Sequence, residues 1–140
     1  MHRSVLIAAL VASACPAPPA FADLVTHVPL YTFHGDSSGD AFGFSVSGAG
    51  DVNGDGFADL IVGAFDDDNN GTDSGSARVL SGSDGSELFE FNGDSANDDF
   101  GGSVSGAGDV NGDGIADLIV GADRDDNNDA NSGSARVLSG

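Results

Sequence analysis

Short apolar runs punctuate a chain otherwise built of Gly, Asp, Asn and Ser. Leu60-Ile61-Val62-Gly63-Ala64 is continuous and β-branched, and Leu118 to Ala122 repeats it. Such a run, closed by Gly, predicts a strand buried on both faces. In Ser76 to Ser81, Ala77 and Val79 alternate with Arg78 and Leu80, the period of a strand. Phe42 to Gly50 is a third candidate strand, made of small residues around Val46, and Leu88 to Phe91 is a fourth. Turn-forming residues separate them, and no segment carries a helical apolar stripe behind a cap.

This pattern occurs twice. From Tyr31 onward the offset is constant at 58 residues, from Asp51 to Asp109 and from Ser74 to Ser132, with no gap. Phe42-Gly43 returns as Phe100-Gly101, and Ser45 to Gly50 as Ser103 to Gly108. Four short strands in a unit of this length predict an all-β fold of β-propeller blades. The second unit stops before its fourth strand, while Leu30 to Phe33 precedes the first unit and matches a fourth strand. Propellers close with about four to eight blades. Two units therefore predict an incomplete propeller: a fragment, a truncated gene, or a chain that assembles with copies of itself.

Between the first two strands of each unit lies an acidic loop. It reads Asp51-Val52-Asn53-Gly54-Asp55-Gly56-Phe57-Ala58-Asp59, and again Asp109 to Asp117. Side-chain oxygens stand at positions one, three, five and nine, and glycine at six. Ca²⁺ is a hard cation that takes six to eight oxygen ligands, and glycine permits the sharp turn around it. Three carboxylates this close repel one another without a cation, so metal binding and folding are coupled. A lone copy would read equally well as an acidic turn; two copies with the ninth-position Asp favour calcium. Position twelve is Val62 or Val120 rather than an acid, and a strand follows. These loops therefore differ from an EF-hand.

These features together resemble the FG-GAP repeat, the blade of the integrin α-subunit β-propeller. The residues that carry the resemblance are Phe42-Gly43, Asp51 to Asp59 and Gly63-Ala64, then Phe100-Gly101, Asp109 to Asp117 and Gly121-Ala122. The resemblance implies two Ca²⁺ sites. One would use the side chains of Asp51, Asn53, Asp55 and Asp59 and the carbonyl of Phe57. The other would use Asp109, Asn111, Asp113 and Asp117 and the carbonyl of Ile115. Asn at the third position, where the family often has Asp, keeps an oxygen but removes a charge, which weakens binding. Phe65 and Asp123 stand where the family motif often ends in Pro.

The chain has 140 residues with 23 acidic ones against four arginines, and its net charge is −19. That charge argues against nucleic acid and anionic membrane surfaces as partners, and for cations or a salty environment. Residues 1–22 have the form of an export signal, with Arg3, an apolar stretch from Val5 to Ala14, and Ala20-Phe21-Ala22 as a cleavage site. The stretch is too short to span a bilayer. Val11 to Cys15 loosely resembles a lipobox, which would make Cys15 a lipid anchor; Ala12 stands where that motif prefers Leu, so cleavage after Ala22 is favoured. Cys15 is the only cysteine, so no intrachain disulfide forms.

The organisation expected is a signal over residues 1–22, a lead-in over 23–29, a first repeat with its preceding strand over 30–92, and an incomplete second repeat over 93–140. The export signal implies a secreted or cell-surface location, and the resemblance implies an extracellular protein or glycan as ligand, in a binding or adhesion role. No enzyme is expected within these residues. His2 lies in the signal and His27 in the lead-in, His34 is replaced by Asn92 in the second unit, and no nucleophile elbow or zinc pattern appears. Because such repeats also accompany secreted hydrolases, the alternative is an accessory propeller part of a larger enzyme.

Overall fold

The computed structural model describes residues 28–140. The expected export signal, Cys15 and most of the lead-in lie outside the described residues. The chain divides into two compact units, residues 1–30 and 31–140. Of the first, Val28, Pro29 and Leu30 are described; they are exposed and belong to no strand.

All regular structure is in the second unit. Seven strands follow in chain order: β1 (Ser45–Gly50), β2 (Asp59–Ala64), β3 (Ser76–Leu80), β4 (Glu87–Asn92), β5 (Phe100–Gly108), β6 (Asp117–Ala122) and β7 (Ser134–Leu138). They form two antiparallel sheets, β1-β2-β3-β4 and β5-β6-β7, each strand beside its sequence neighbour. The fold is all-β, with no helix among the described residues, and the sheets are two blades of an unclosed propeller. The continuous apolar runs became the middle strands β2 and β6, where neighbours on both edges satisfy the backbone and both faces can be covered.

The registers of the two blades agree. Ile61 opposes Val79 and Gly63 opposes Ala77 in the first; Ile119 opposes Val137 and Gly121 opposes Ala135 in the second. Side chains alternate across a strand, so each blade has two faces. Ile61, Ala77 and Val79 leave the first blade on one side, and Leu118, Val120 and Phe100 leave the second on its opposite side. These meet in one buried cluster, completed by Ala49, Val52 and Ala122. The core therefore lies between the blades.

Two elements differ from expectation. β5 starts at Phe100, whereas β1 starts at Ser45 rather than at Phe42. The Phe100 N–H donates to the Ser74 carbonyl of the first blade at 3.1 Å, and its ring is buried. Phe42 has no such anchor among the described residues. Leu30 to Phe33, expected as a strand, forms none. A strand needs an edge of free N–H and C=O groups; Tyr31 instead lies against the β3–β4 turn, donating its hydroxyl proton to the Ser83 carbonyl at 2.9 Å.

Candidate metal centres at the two ends of the blades

The β1–β2 loop is folded by its own carboxylates. Asp51 accepts the N–H of Asp55 at 3.0 Å through one oxygen and that of Gly56 at 2.8 Å through the other. Asn53 Oδ1 accepts the Asp55 N–H at 2.9 Å, and Asp55 Oδ1 accepts the Phe57 N–H at 2.8 Å. These short-range bonds are what Asn and Asp supply in turns. Gly54 and Gly56 take positive φ, 73° and 88°, which a side chain would resist. The β5–β6 loop repeats the pattern. Asp109 accepts from Asp113 at 3.0 Å and Gly114 at 2.9 Å, Asn111 from Asp113 at 2.9 Å, and Asp113 from Ile115 at 2.8 Å.

The ninth-position acids behave differently from the rest. Asp59 and Asp117 open β2 and β6 and are buried. Asp59 accepts the Val52 N–H at 2.9 Å and the Gly82 N–H at 3.0 Å. It thereby fastens its loop to the β3–β4 turn, from which Ser83 also donates to Asp55 at 3.2 Å. Asp117 accepts from Val110 at 2.7 Å, Asn111 at 3.2 Å and Gly140 at 3.3 Å. Burial works against its charge, but these N–H groups outweigh it and hold the carboxyl below its ordinary range. Asp55 is held below its range chiefly by the Phe57 N–H.

Carboxylate and amide oxygens are the ligands a hard cation takes, but among the described residues the loop acids do not draw three carboxylates within 4.8 Å of one another. Both oxygens of Asp51 and Oδ1 of Asp55 accept one N–H each and keep a second lone pair, whereas Asp109 Oδ1 and Asp117 Oδ2 already accept two N–H groups each. Asp51, Asn53, Asp55 and Asp59, and Asp109, Asn111, Asp113 and Asp117, thus all sit in or beside their loops. The carbonyls of Phe57 and Ile115 belong to the same turns.

A second group of acids gathers at the opposite end of the strands. Among the described residues, Asp36, Asp40 and Asp67 bring carboxylate oxygens within 4.8 Å of one another, as do Asp94, Asp98 and Asp125. The outer member of each triad is exposed and the other two are buried. An arginine reaches each: Arg78 lies 2.7 Å from Asp36, and Arg136 lies 2.6 Å from Asp94. The Arg78 hydrogen bond is the main cause holding Asp36 low. Burial pushes Asp40 up, and the neighbouring acid Asp36 adds to this. In the second blade burial works against the Asp94 charge, but hydrogen bonds from Asp98 and Asn127 prevail and lower it; burial raises Asp98. Each triad thus pairs a carboxylate with a carboxyl that retains its proton more readily, beside a cation from the same blade. These clusters could hold a metal, in competition with that arginine.

Along the chain the triad acids stand in separate stretches rich in Asp, Asn, Gly and Ser. Their signal was available: all three acids and the arginine recur at the 58-residue offset, as the acids of the nine-residue loops do. Spacing along the chain concealed it, because Asp67 and Asp125 come from a different loop than their partners.

A family model described as FG-GAP repeat matches residues 42–80 and 100–138. The two matches span β1 to β3 and β5 to β7, with both nine-residue loops inside them. No curated protein matches the chain.

Proposed function

The chain belongs to the FG-GAP repeat family, and from that premise we propose an exported, calcium-stabilised segment of an integrin-α-like propeller. Its role is extracellular binding or adhesion to a protein or glycan. The carrying observation is the pair of loops with one hydrogen-bond pattern, placed at one end of both blades. Asp51, Asn53, Asp55 and Asp59 hold one ion, and Asp109, Asn111, Asp113 and Asp117 the other, with the carbonyls of Phe57 and Ile115. Bound calcium supplies the charge that offsets three carboxylates per loop and couples the loop to folding. The buried ninth-position acids transmit that coupling, since each ties its loop to the backbone beyond the third strand of its blade.

The opposite end, with its acid triads and arginines, is the ligand-facing surface in this reading. Charge of both signs and extended acidic loops suit a polar partner.

Calcium titration followed by native mass spectrometry tests the metal assignment. Two ions per chain are expected, and one each in Asp55→Ala and Asp113→Ala. Unchanged stoichiometry in either variant would remove that residue from the ligand set.

A further inference from the structure

The interface between the two blades exists once inside the chain, and both halves of a second one lie at least partly uncovered among the described residues. We propose that a second copy of this chain fills it, head to tail: the first blade of one copy packs on the second blade of the next.

The covered interface has defined parts. Ile61, Ala77 and Val79 of the first blade are fully buried against the second. Their equivalents on the outer face of the second blade are Ile119, Ala135 and Val137. All three are exposed, Ile119 at 37 % and Val137 at 53 %. The other half shows the converse. Leu118 and Phe100, which the second blade turns to the first, are buried. Leu60, at the position of Leu118, is 39 % exposed and Val46 is 67 % exposed, while Val62 and Ala64, at the positions of Val120 and Ala122, are already buried. The chain thus carries exposed apolar residues of the acceptor face on one blade and of the donor face on the other. Contiguous exposed apolar surface of this kind marks an interaction site.

Polar contacts follow the same rule. Within the chain, the backbone N–H groups of Asn97, Asp99 and Phe100 donate to the carbonyls of Thr72, Asp73 and Ser74, at 2.8, 3.2 and 3.1 Å. Ser45 Oγ donates to the Gly101 carbonyl at 2.6 Å, and Asn70 Nδ2 to the Gly93 carbonyl at 2.7 Å. Shifted by one repeat, the backbone bonds run from Gly39, Ala41 and Phe42 of the second copy to Ala130, Asn131 and Ser132. Backbone groups do not depend on side-chain identity, and the two side-chain donors are retained as Ser103 and Asn128.

The unpaired segment around Tyr31 completes the match. β4 pairs with β3 and leads directly into the loop that docks Phe100. Tyr31-Thr32-Phe33 stands at the same place before Phe42, and β7 has a free outer edge among the described residues. The β3–β4 register places Phe91 opposite Ala77 and Phe89 opposite Val79. Under the offset, Phe33 of the second copy pairs opposite Ala135 and Tyr31 opposite Val137, adding a fourth strand to the second blade. Such a contact is heterologous and propagates until it closes; two to four copies supply about four to eight blades, the range in which propellers close.

The test is native mass spectrometry of the chain in calcium, with two single variants on opposite faces. Wild type is expected as assemblies of two or more copies. Val46→Arg removes the donor face and Val137→Arg the acceptor face, so each alone should be monomeric. Mixed in equal amounts they should form one-to-one dimers and nothing larger, because one intact face of each kind remains. Leu60→Arg and Ile119→Arg repeat the test should either first variant misfold by circular dichroism. A wild-type chain that is monomeric throughout, as when further blades of a longer protein normally cover these faces, overturns the proposal. So do assemblies that survive either variant alone, which would mean a different interface.

Discussion

Ile61 and Ile119 occupy the same position in two copies of one repeat, yet the first is fully buried and the second is 37 % exposed. Phe42 and Phe100 make the same kind of pair. Both rings lie under an arginine of their own blade, Arg78 at 5.2 Å and Arg136 at 4.8 Å. Only Phe100 is also held by a neighbouring blade, through Ser74 and Gly75. The blades share their middle strands, the register across them and the nine-residue loop, so the local structure around Ile61 and Ile119 is the same. What differs is the company each face keeps. A repeat unit of this kind cannot bury its apolar faces alone, and its stability resides largely in the contact between neighbours.

Truncating the paired aromatics gives the sharpest separation. Phe100→Ala should cost about 3–5 kcal/mol, the range for an aromatic removed from a packed core. Phe42→Ala should cost under about 1 kcal/mol, little more than a cation–π contact. Urea unfolding midpoints measure both. Equal losses would break the comparison and mean that Phe42 is covered in solution.

The isoleucines repeat the contrast at a smaller scale. Ile61→Ala should lose about 2–5 kcal/mol, and Ile119→Ala about 0.5 kcal/mol, as for an exposed site. The gap should close under conditions that drive self-association, because Ile119 then acquires the neighbour that Ile61 already has.

Calcium should leave the difference between blades unchanged, since both loops present the same oxygens and gain equally. At a calcium concentration 100-fold above Kd each site adds about 2.7 kcal/mol. Melting with chelator and with excess calcium measures the sum. An unchanged melting temperature would remove the metal from this account.

The smallest effect separates the two ends rather than the two blades. Asp55 and Asp117, at the loop end, have lowered values in the folded protein. Their stabilisation is present above the unfolded aspartate range and is lost as pH falls through the folded value. Asp40 and Asp98, at the triad end, are raised. Their contribution is complete below the unfolded value and is lost as pH rises through the folded one. Asp40→Asn and Asp98→Asn, which mimic the protonated form, should therefore flatten the upper limb of the melting-temperature profile with pH and leave the acid limb in place. A profile unchanged on both limbs would mean that neither group is titrating there.

Much of this molecule could be read along the chain. Leu60 to Ala64 announced a middle strand because a continuous apolar run needs cover on both faces. Asp51 to Asp59 announced its turn because Asn, Asp and Gly at those spacings hydrogen-bond to their own backbone. The family followed from the same residues. The site was legible as a donor set. The reach of Asp59 to Gly82 was not, because the two residues meet only once β2 and β3 have paired.

The sequence by itself thus determined strands, turns, repeat and loop chemistry, all of which depend on residues a few positions apart. The tertiary structure decided which of two identical faces is core, why Leu30 to Phe33 forms no strand, and how Asp67 and Asp125 join acids some thirty residues earlier in the chain. Burial and charge clustering are properties of neighbours in space, and a close repeat gives both copies nearly the same residues while giving them different neighbours.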